Sequence, residues 1–242
     1  MKGVEYYSTP FPFDASLYRM KQSLTIPIAI AIGGIIVAIA VYVTMPKPDP
    51  TAINSATLMR PISADDHILG NPAAPVIVVE YSDFDCTYCK EFASTMLRII
   101  TDEGPNGRVA WVHRHFPLTE LHPNSFSHAR ASECIAKTSG NDSFWRFAYE
   151  LYQNQPIDPK NYGTIASKIR ISGSDFAACL SSNTSAIDTR IKADRQNALD
   201  IGADGTPYSI IVANGKISAV MNGGYPYEAV RQLVDEALAS VK

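Results

Sequence analysis

Apolar and polar positions divide the chain into three regimes. From Leu24 to Met45 the sequence is apolar throughout and uncharged, broken only by small or mildly polar residues such as Thr25, Gly33, Gly34 and Thr44. A core helix of a soluble domain keeps a polar face, whereas about 20 apolar residues in a helix cross a bilayer core of about 30 Å. The pattern predicts a single transmembrane helix over 24–45, preceded by a tail over 1–23. A cleaved signal peptide is the alternative, because Ala38-Ile39-Ala40 offers a small-x-small cleavage pattern, although the tail is long for one. Residues 46–72 carry Pro46, Pro48, Pro50, Pro61 and Pro72 with little apolar periodicity, which predicts an extended spacer.

Residues 73–242 have the mixed pattern of a folded α/β domain. Val76-Ile77-Val78-Val79 is a short apolar run that predicts a buried strand. Phe92, Met96, Ile99 and Ile100 recur at helical spacing until Gly104-Pro105 stops them. Val109 to His115 alternates like a second strand, ended by Phe116-Pro117. Over about 122–199 the pattern turns helical. Phe144, Phe147, Ala148 and Leu151 form one set, with Ser143 placed to cap it. Tyr162, Ile165, Ala166 and Ile169 form a second, Phe176, Cys179 and Leu180 a third, and Ile187 with Ile191 begins a fourth. Strand character returns at Tyr208 to Val212, and Asn214-Gly215 predicts a two-residue hairpin turn into Lys216 to Met221. A final helix can start at Pro226 and repeats Ala229, Val230, Leu233, Val234, Ala237, Leu238 and Val241.

Charge and composition narrow the function classes. The formal net charge of -3 and the lack of a long Lys/Arg run leave no footprint for a polyphosphate backbone, so no nucleic-acid partner is expected. Lys2, Arg19 and Lys21 precede the apolar span, while Lys47 beyond it is followed by Asp49, so the positive-inside bias keeps the N-terminus cytoplasmic. The C-terminal domain is then expected outside the cytoplasm, tethered to the inner (cytoplasmic) membrane by its own helix, where disulfides persist.

The chemistry concentrates at Cys86-Thr87-Tyr88-Cys89, where a predicted strand hands over to a predicted helix. The free N–H groups and partial positive charge of a helix N-terminus favour thiolate over thiol. Cys86, the more accessible, is the expected nucleophile, and Cys89, one turn on, the resolving thiol. A zinc site would need a second close pair, which the isolated Cys134 and Cys179 do not supply, and a crosslink over two intervening residues closes too small a loop to stabilise much. Asp83 and Asp85 oppose the thiolate, but across about 7 Å of water one charge costs only about 0.6 kcal/mol; Asp85 is placed to cap the helix. Glu80 ends the apolar run and should lie beneath Cys89, where a carboxyl of raised pKa can relay a proton; a salt-bridged core acid is the alternative.

Thr206-Pro207 precedes a strand downstream of the Cys pair, and a cis bond there would turn the Thr206 backbone toward it, an edge that can align an extended substrate. Cys134 and Cys179 lie on apolar helical faces. If bonded they would close a loop of about 46 residues, worth about 4 kcal/mol; buried free thiols or a regulatory pair are the alternatives. His113, His115, His122 and His128 invite a metal reading, with His67 far upstream standing apart. No carboxylate or Cys sits at a recognisable ligand spacing, so neither a metal nor a cofactor is expected.

The strings Glu80-Tyr81-Ser82-Asp83-Phe84-Asp85-Cys86-Thr87-Tyr88-Cys89, Arg114-His115-Phe116-Pro117-Leu118, Ala131-Ser132-Glu133-Cys134 and Gly205-Thr206-Pro207 resemble the DsbA-like family of thioredoxin-fold proteins, from about Asp66 onward. The resemblance implies an α/β thioredoxin fold with an inserted helical subdomain, a protein disulfide oxidoreductase with Cys86 attacking and Cys89 resolving, a buried acid at Glu80, a cis Pro207, and substrate contacts at Thr206, Pro207, Thr87 and Tyr88. It also implies exported thiol-containing proteins as partners and reoxidation by a membrane quinone-linked thiol oxidase. Strongly oxidising members often carry a His between the cysteines, where this chain has Thr87 and Tyr88, so a disulfide reductase or isomerase served by a membrane electron donor is the alternative. A membrane-anchored chaperone or binding module that keeps the fold without the chemistry is the reading from another class.

Overall fold

The computed structural model describes residues 30–36, 39, 56–182 and 184–241. The chain divides into two units, 1–46 and 47–242. In the first, residues 30–36 are helical and exposed. The tail over 1–23 and most of the membrane helix expected over 24–45 lie outside the described residues. No helix among the described residues is long and apolar enough to cross a membrane.

The second unit is built on a five-stranded sheet in the order β1-β3-β2-β4-β5. Its strands are β1 (His67–Gly70), β2 (Val76–Ser82), β3 (Val109–His115), β4 (Tyr208–Ala213) and β5 (Lys216–Asn222), and only β2 and β3 run parallel. A parallel pair needs a crossover, which α1 (Thr87–Glu103) supplies. Between β3 and β4 the chain forms α2 (Ser125–Ser139), α3 (Asn141–Gln153), α4 (Tyr162–Lys168), α5 (Gly173–Ser181) and α6 (Ser185–Asp200); α7 (Tyr227–Ser240) closes it. This is the α/β thioredoxin-like fold with an inserted helical block.

Strand periodicity explains both cores. Val76, Val78, Val109 and Trp111 enter the larger one, where they meet Phe92 and Met96 of α1, Phe144 and Phe147 of α3, and Val230 and Val234 of α7. Val79, Tyr81, Val112 and Ile210 point the other way, onto Ala198 and Ile201 at the end of α6. With both faces covered, β3 is buried at every position, so the alternation expected of it is not a half-exposed pattern. Asn214 (φ 46°) and Gly215 (φ 75°) take the left-handed conformations a tight hairpin turn requires.

Three expectations need correction. The spacer over 46–72 is structured from Ala56 onward: β1 pairs with β3, and the buried Arg114 side chain clamps the preceding segment by donating to both Asp66 oxygens (2.9 and 3.0 Å) and to the Arg60 and Pro61 carbonyls. Ser143 does not cap α3, which begins two residues earlier after Gly140; its buried hydroxyl accepts from Arg146 instead. The last helix starts at Tyr227 with Pro226 as its cap.

Candidate active site

β2 delivers its C-terminal end to a four-residue connection, and Cys86 is the cap residue of α1, with extended backbone (φ -76°, ψ 124°). Asp85 does not cap the helix; its Oδ1 lies 2.9 Å from His128 Nε2, and His128 Nδ1 meets the Tyr162 hydroxyl at 2.5 Å. Asp83 organises the loop as a buried acceptor for the Asp85 and Leu118 amides (both 2.8 Å) and His122 Nδ1 (3.0 Å). Gln155, just beyond α3, donates to the Phe84 and Cys86 carbonyls at 2.6 and 3.2 Å. The helical block thus holds the loop that carries Cys86.

Cys86 and Cys89 are both free thiols, Cys86 6% exposed and Cys89 fully buried. A hydrogen bond from the Cys89 thiol, opposed by burial and aided by the Cys89 and Tyr88 amides, brings the Cys86 thiol down to about 6. Cys89 moves the opposite way, pushed well above the ordinary thiol range by burial, by its bond to Cys86 and by Glu80. The Thr206-Pro207 peptide is cis, and the Thr206 carbonyl accepts from Cys86 Sγ at 3.4 Å. Tyr88 is exposed beside the pair, and a side chain at Gly224 would approach its Cβ to 3.3 Å.

Glu80 is fully buried, and burial pushes its carboxyl up to about 8. Its oxygens accept from Ser82 Oγ (2.6 Å) and Trp111 Nε1 (2.9 Å), and Ser82 Oγ in turn meets the Tyr152 hydroxyl at 2.8 Å. Neither partner of the carboxyl is a cation, so the salt-bridged alternative is not what the structure holds. Cys134 and Cys179 are joined by a disulfide with Cα atoms 5.7 Å apart, which ties α2 to α5.

Tyr152, Gln155 and Trp111 escaped the sequence reading because they reach the site from distant elements. Trp111 alone left a signal, being two residues from His113 on the strand face shared with Glu80. The histidines are rearranged as well. His67 does not stand apart: its Nε2 and that of His115 lie 2.8 and 2.9 Å from one Glu133 oxygen, in a cluster buried throughout. His122 and His128 go to Asp83 and Asp85 instead.

A family profile described as Thioredoxin matches residues 63–236. Curated relatives include the "Na(+)/H(+) antiporter NhaA 1" of Mycobacterium sp. (strain KMS), 32% identical over 70% of this chain and 26% of its own length. The chain thus spans about a quarter of the length of that relative. The "Probable disulfide bond formation protein D" of Bacillus cereus is 38% identical over 40% of this chain and 44% of its own. Among solved structures, Wolbachia pipientis alpha-DsbA1 superposes with a TM-score of 0.66 at 21% identity, covering 77% of this chain and 97% of that one. BdbD from Bacillus subtilis gives 0.61 at 22% identity, with 81% and 97% covered.

Proposed function

The chain belongs to the thioredoxin family, and from that premise we propose that it is a protein disulfide oxidoreductase that donates the Cys86–Cys89 disulfide to exported thiol proteins. One observation carries the reading: two thiols at a helix N-terminus sit asymmetrically, Cys86 as the cap residue 3.4 Å from the Thr206 carbonyl and Cys89 fully buried behind it, with Cys86 drawn down to about 6 and Cys89 pushed well upward. That asymmetry separates a thiolate that attacks or leaves near neutral pH from one that waits for a proton.

In the donor direction, a substrate thiolate attacks Cys86 Sγ, the Cys86–Cys89 bond breaks, and a mixed disulfide forms. Cys89 leaves as a thiolate and takes a proton from Glu80, whose carboxyl is protonated at neutral pH. A second substrate thiolate then attacks the substrate sulfur of the mixed disulfide and releases Cys86 as thiolate. The substrate loses two electrons to form its disulfide, and the Cys pair is reduced. The Thr206 carbonyl, 3.4 Å from Cys86 Sγ, offers an extended substrate a backbone acceptor beside the reacting sulfur, and Pro207, Thr87 and the exposed Tyr88 border the same place.

The apolar stretch 24–45 supports a further part of the reading, a single-pass anchor in the inner membrane with the N-terminus cytoplasmic and the catalytic domain extracytoplasmic. A tether would keep the domain near a membrane quinone-linked thiol oxidase able to reoxidise it.

Replacing Cys89 with Ala tests the roles, because Cys86 can then attack a substrate disulfide and the resulting mixed disulfide has no neighbouring protein thiol to reverse it. Cells carrying the variant should accumulate adducts of exported proteins through Cys86 that reductant releases. Absence of adducts with every exported thiol protein would overturn the assignment.

A further inference from the structure

Outside the redox site, three potential ligand atoms from β1, β3 and α2 converge: His67 Nε2, His115 Nε2 and a Glu133 carboxylate oxygen, all within 4.8 Å of one another. We propose that this cluster is a binding site for a first-row divalent transition metal of the Zn²⁺ class, a clip joining the edge strand, the sheet and the helical block. Two neutral imidazoles and one carboxylate are a donor set such ions accept, with a fourth position left for water.

Four features favour a metal over a plain hydrogen-bond network. Both imidazoles present the same nitrogen to the same oxygen, at 2.8 and 2.9 Å. A tetrahedral metal bound at about 2 Å to each spaces its ligand atoms by about 3.3 Å, so the two nitrogen–oxygen edges need to open by only about half an ångström. The outer partners are in place: His115 Nδ1 lies 3.3 Å from His113 Nε2, the second-nitrogen contact that orients a ligating imidazole, and the His67 ring stacks on Phe144 with centroids 3.6 Å apart. His113 Nδ1 is itself buried without a hydrogen bond, so that ring can carry its proton there and leave Nε2 to accept from His115 Nδ1 once the His115 proton moves off Nε2.

The fourth feature is Arg190. Its Nε lies 2.9 Å from the same Glu133 oxygen, a cation in the neighbourhood a metal would claim. That nitrogen is buried yet makes no hydrogen bond, and the guanidinium is held instead through Nη2, which donates to the Asp65 carbonyl. Its side chain is a quarter exposed while those of His67, His115 and Glu133 are not, which leaves it a way out. Metal binding therefore displaces Arg190 and moves the single proton of each neutral imidazole from Nε2 to Nδ1, with three metal–protein bonds formed and no proton released.

The test uses the full chain with Cys86 and Cys89 oxidised, so that the dithiol cannot take the metal, and Zn²⁺ competed against a colorimetric chelator. One equivalent should bind, and Co²⁺ in its place should give the visible bands of a four-coordinate site. Glu133→Gln, close in shape to the native residue, and His115→Ala should both lose the site. His113→Phe should weaken it about tenfold through the outer contact. Arg190→Ala should tighten it roughly tenfold by removing a competing charge. The site is refuted if the wild-type chain binds no stoichiometric Zn²⁺, if Glu133→Gln binds as well as wild type, or if Arg190→Ala leaves affinity unchanged.

Discussion

Among single residues, the two thiols and Glu80 carry the argument, and each makes a separate prediction. A Cys86 thiol brought from 9.0 to about 6 is mostly thiolate at neutral pH. At pH 7 this favours the dithiol form by about 1.4 kcal/mol, or about 30 mV in a two-electron couple. Alkylation of Cys86 in the reduced protein should follow a pH profile with its midpoint near 6, shifted upward in Cys89→Ala, which lacks the thiol that hydrogen-bonds Cys86, and absent in Cys86→Ser. Glu80 has the opposite linkage. Its carboxyl pKa is raised from 4.5 to about 8, so the folded dithiol form binds the proton more tightly than the unfolded chain. The stability this contributes is complete below pH 4.5 and lost as pH rises through about 8. Glu80→Gln should remove that loss: in denaturant titrations of the reduced protein its advantage over wild type should grow from pH 5 to pH 8. The same variant should slow exchange about a hundredfold, because the leaving Cys89 loses its proton donor. The sequence exposed Glu80 as the acid ending an apolar run. It could not show Ser82 and Trp111 as the partners, since that contact depends on strand register (Glu80 opposite His113, with Trp111 two residues before it).

At the level of elements, the strongly patterned segments were legible and the short ones were not. β2, α1, the helical block, the hairpin and α7 each carry enough periodic apolar residues to announce themselves. β1 has four residues, of which His67 alone is buried, and it lies among prolines, so its pairing with β3 left no local trace. What fixes it is remote in sequence, the Arg114 side chain clamping Asp66 immediately before β1 and the His67–Glu133 contact. Ser143 misled for the opposite reason: a good cap residue lay inside a helix that begins two residues earlier, after a glycine with φ 80°. The helical block is itself stapled by Cys134–Cys179, across 45 residues of sequence. Removing the staple with Cys134→Ala and Cys179→Ala together should lower stability by about 4 kcal/mol on the chain-entropy account, read from urea unfolding. The same double variant should keep the Cys86 alkylation midpoint near 6, since neither cysteine touches the redox pair.

For the whole molecule, the fold assembles its site from segments that the sequence scatters: the end of β2, the start of α1, the Thr206 turn before β4, and Gln155 and Tyr152 from the helical block. The C-x-x-C and the Thr-Pro were readable because their residue types are rare for other purposes. The helical contributions were not, because a half-buried Gln and a core Tyr are ordinary residues until the tertiary contact exists. The proposed function requires more than a reactive thiolate: the domain as a whole must prefer its dithiol form strongly enough to give a disulfide away. The direct measurement is the reduction potential of the purified chain at pH 7, equilibrated in glutathione buffers and read by alkylation of Cys86 and Cys89. A disulfide donor should give a potential between about -180 and -120 mV, and a value near about -270 mV, that of a cytosolic reductant, would contradict the account.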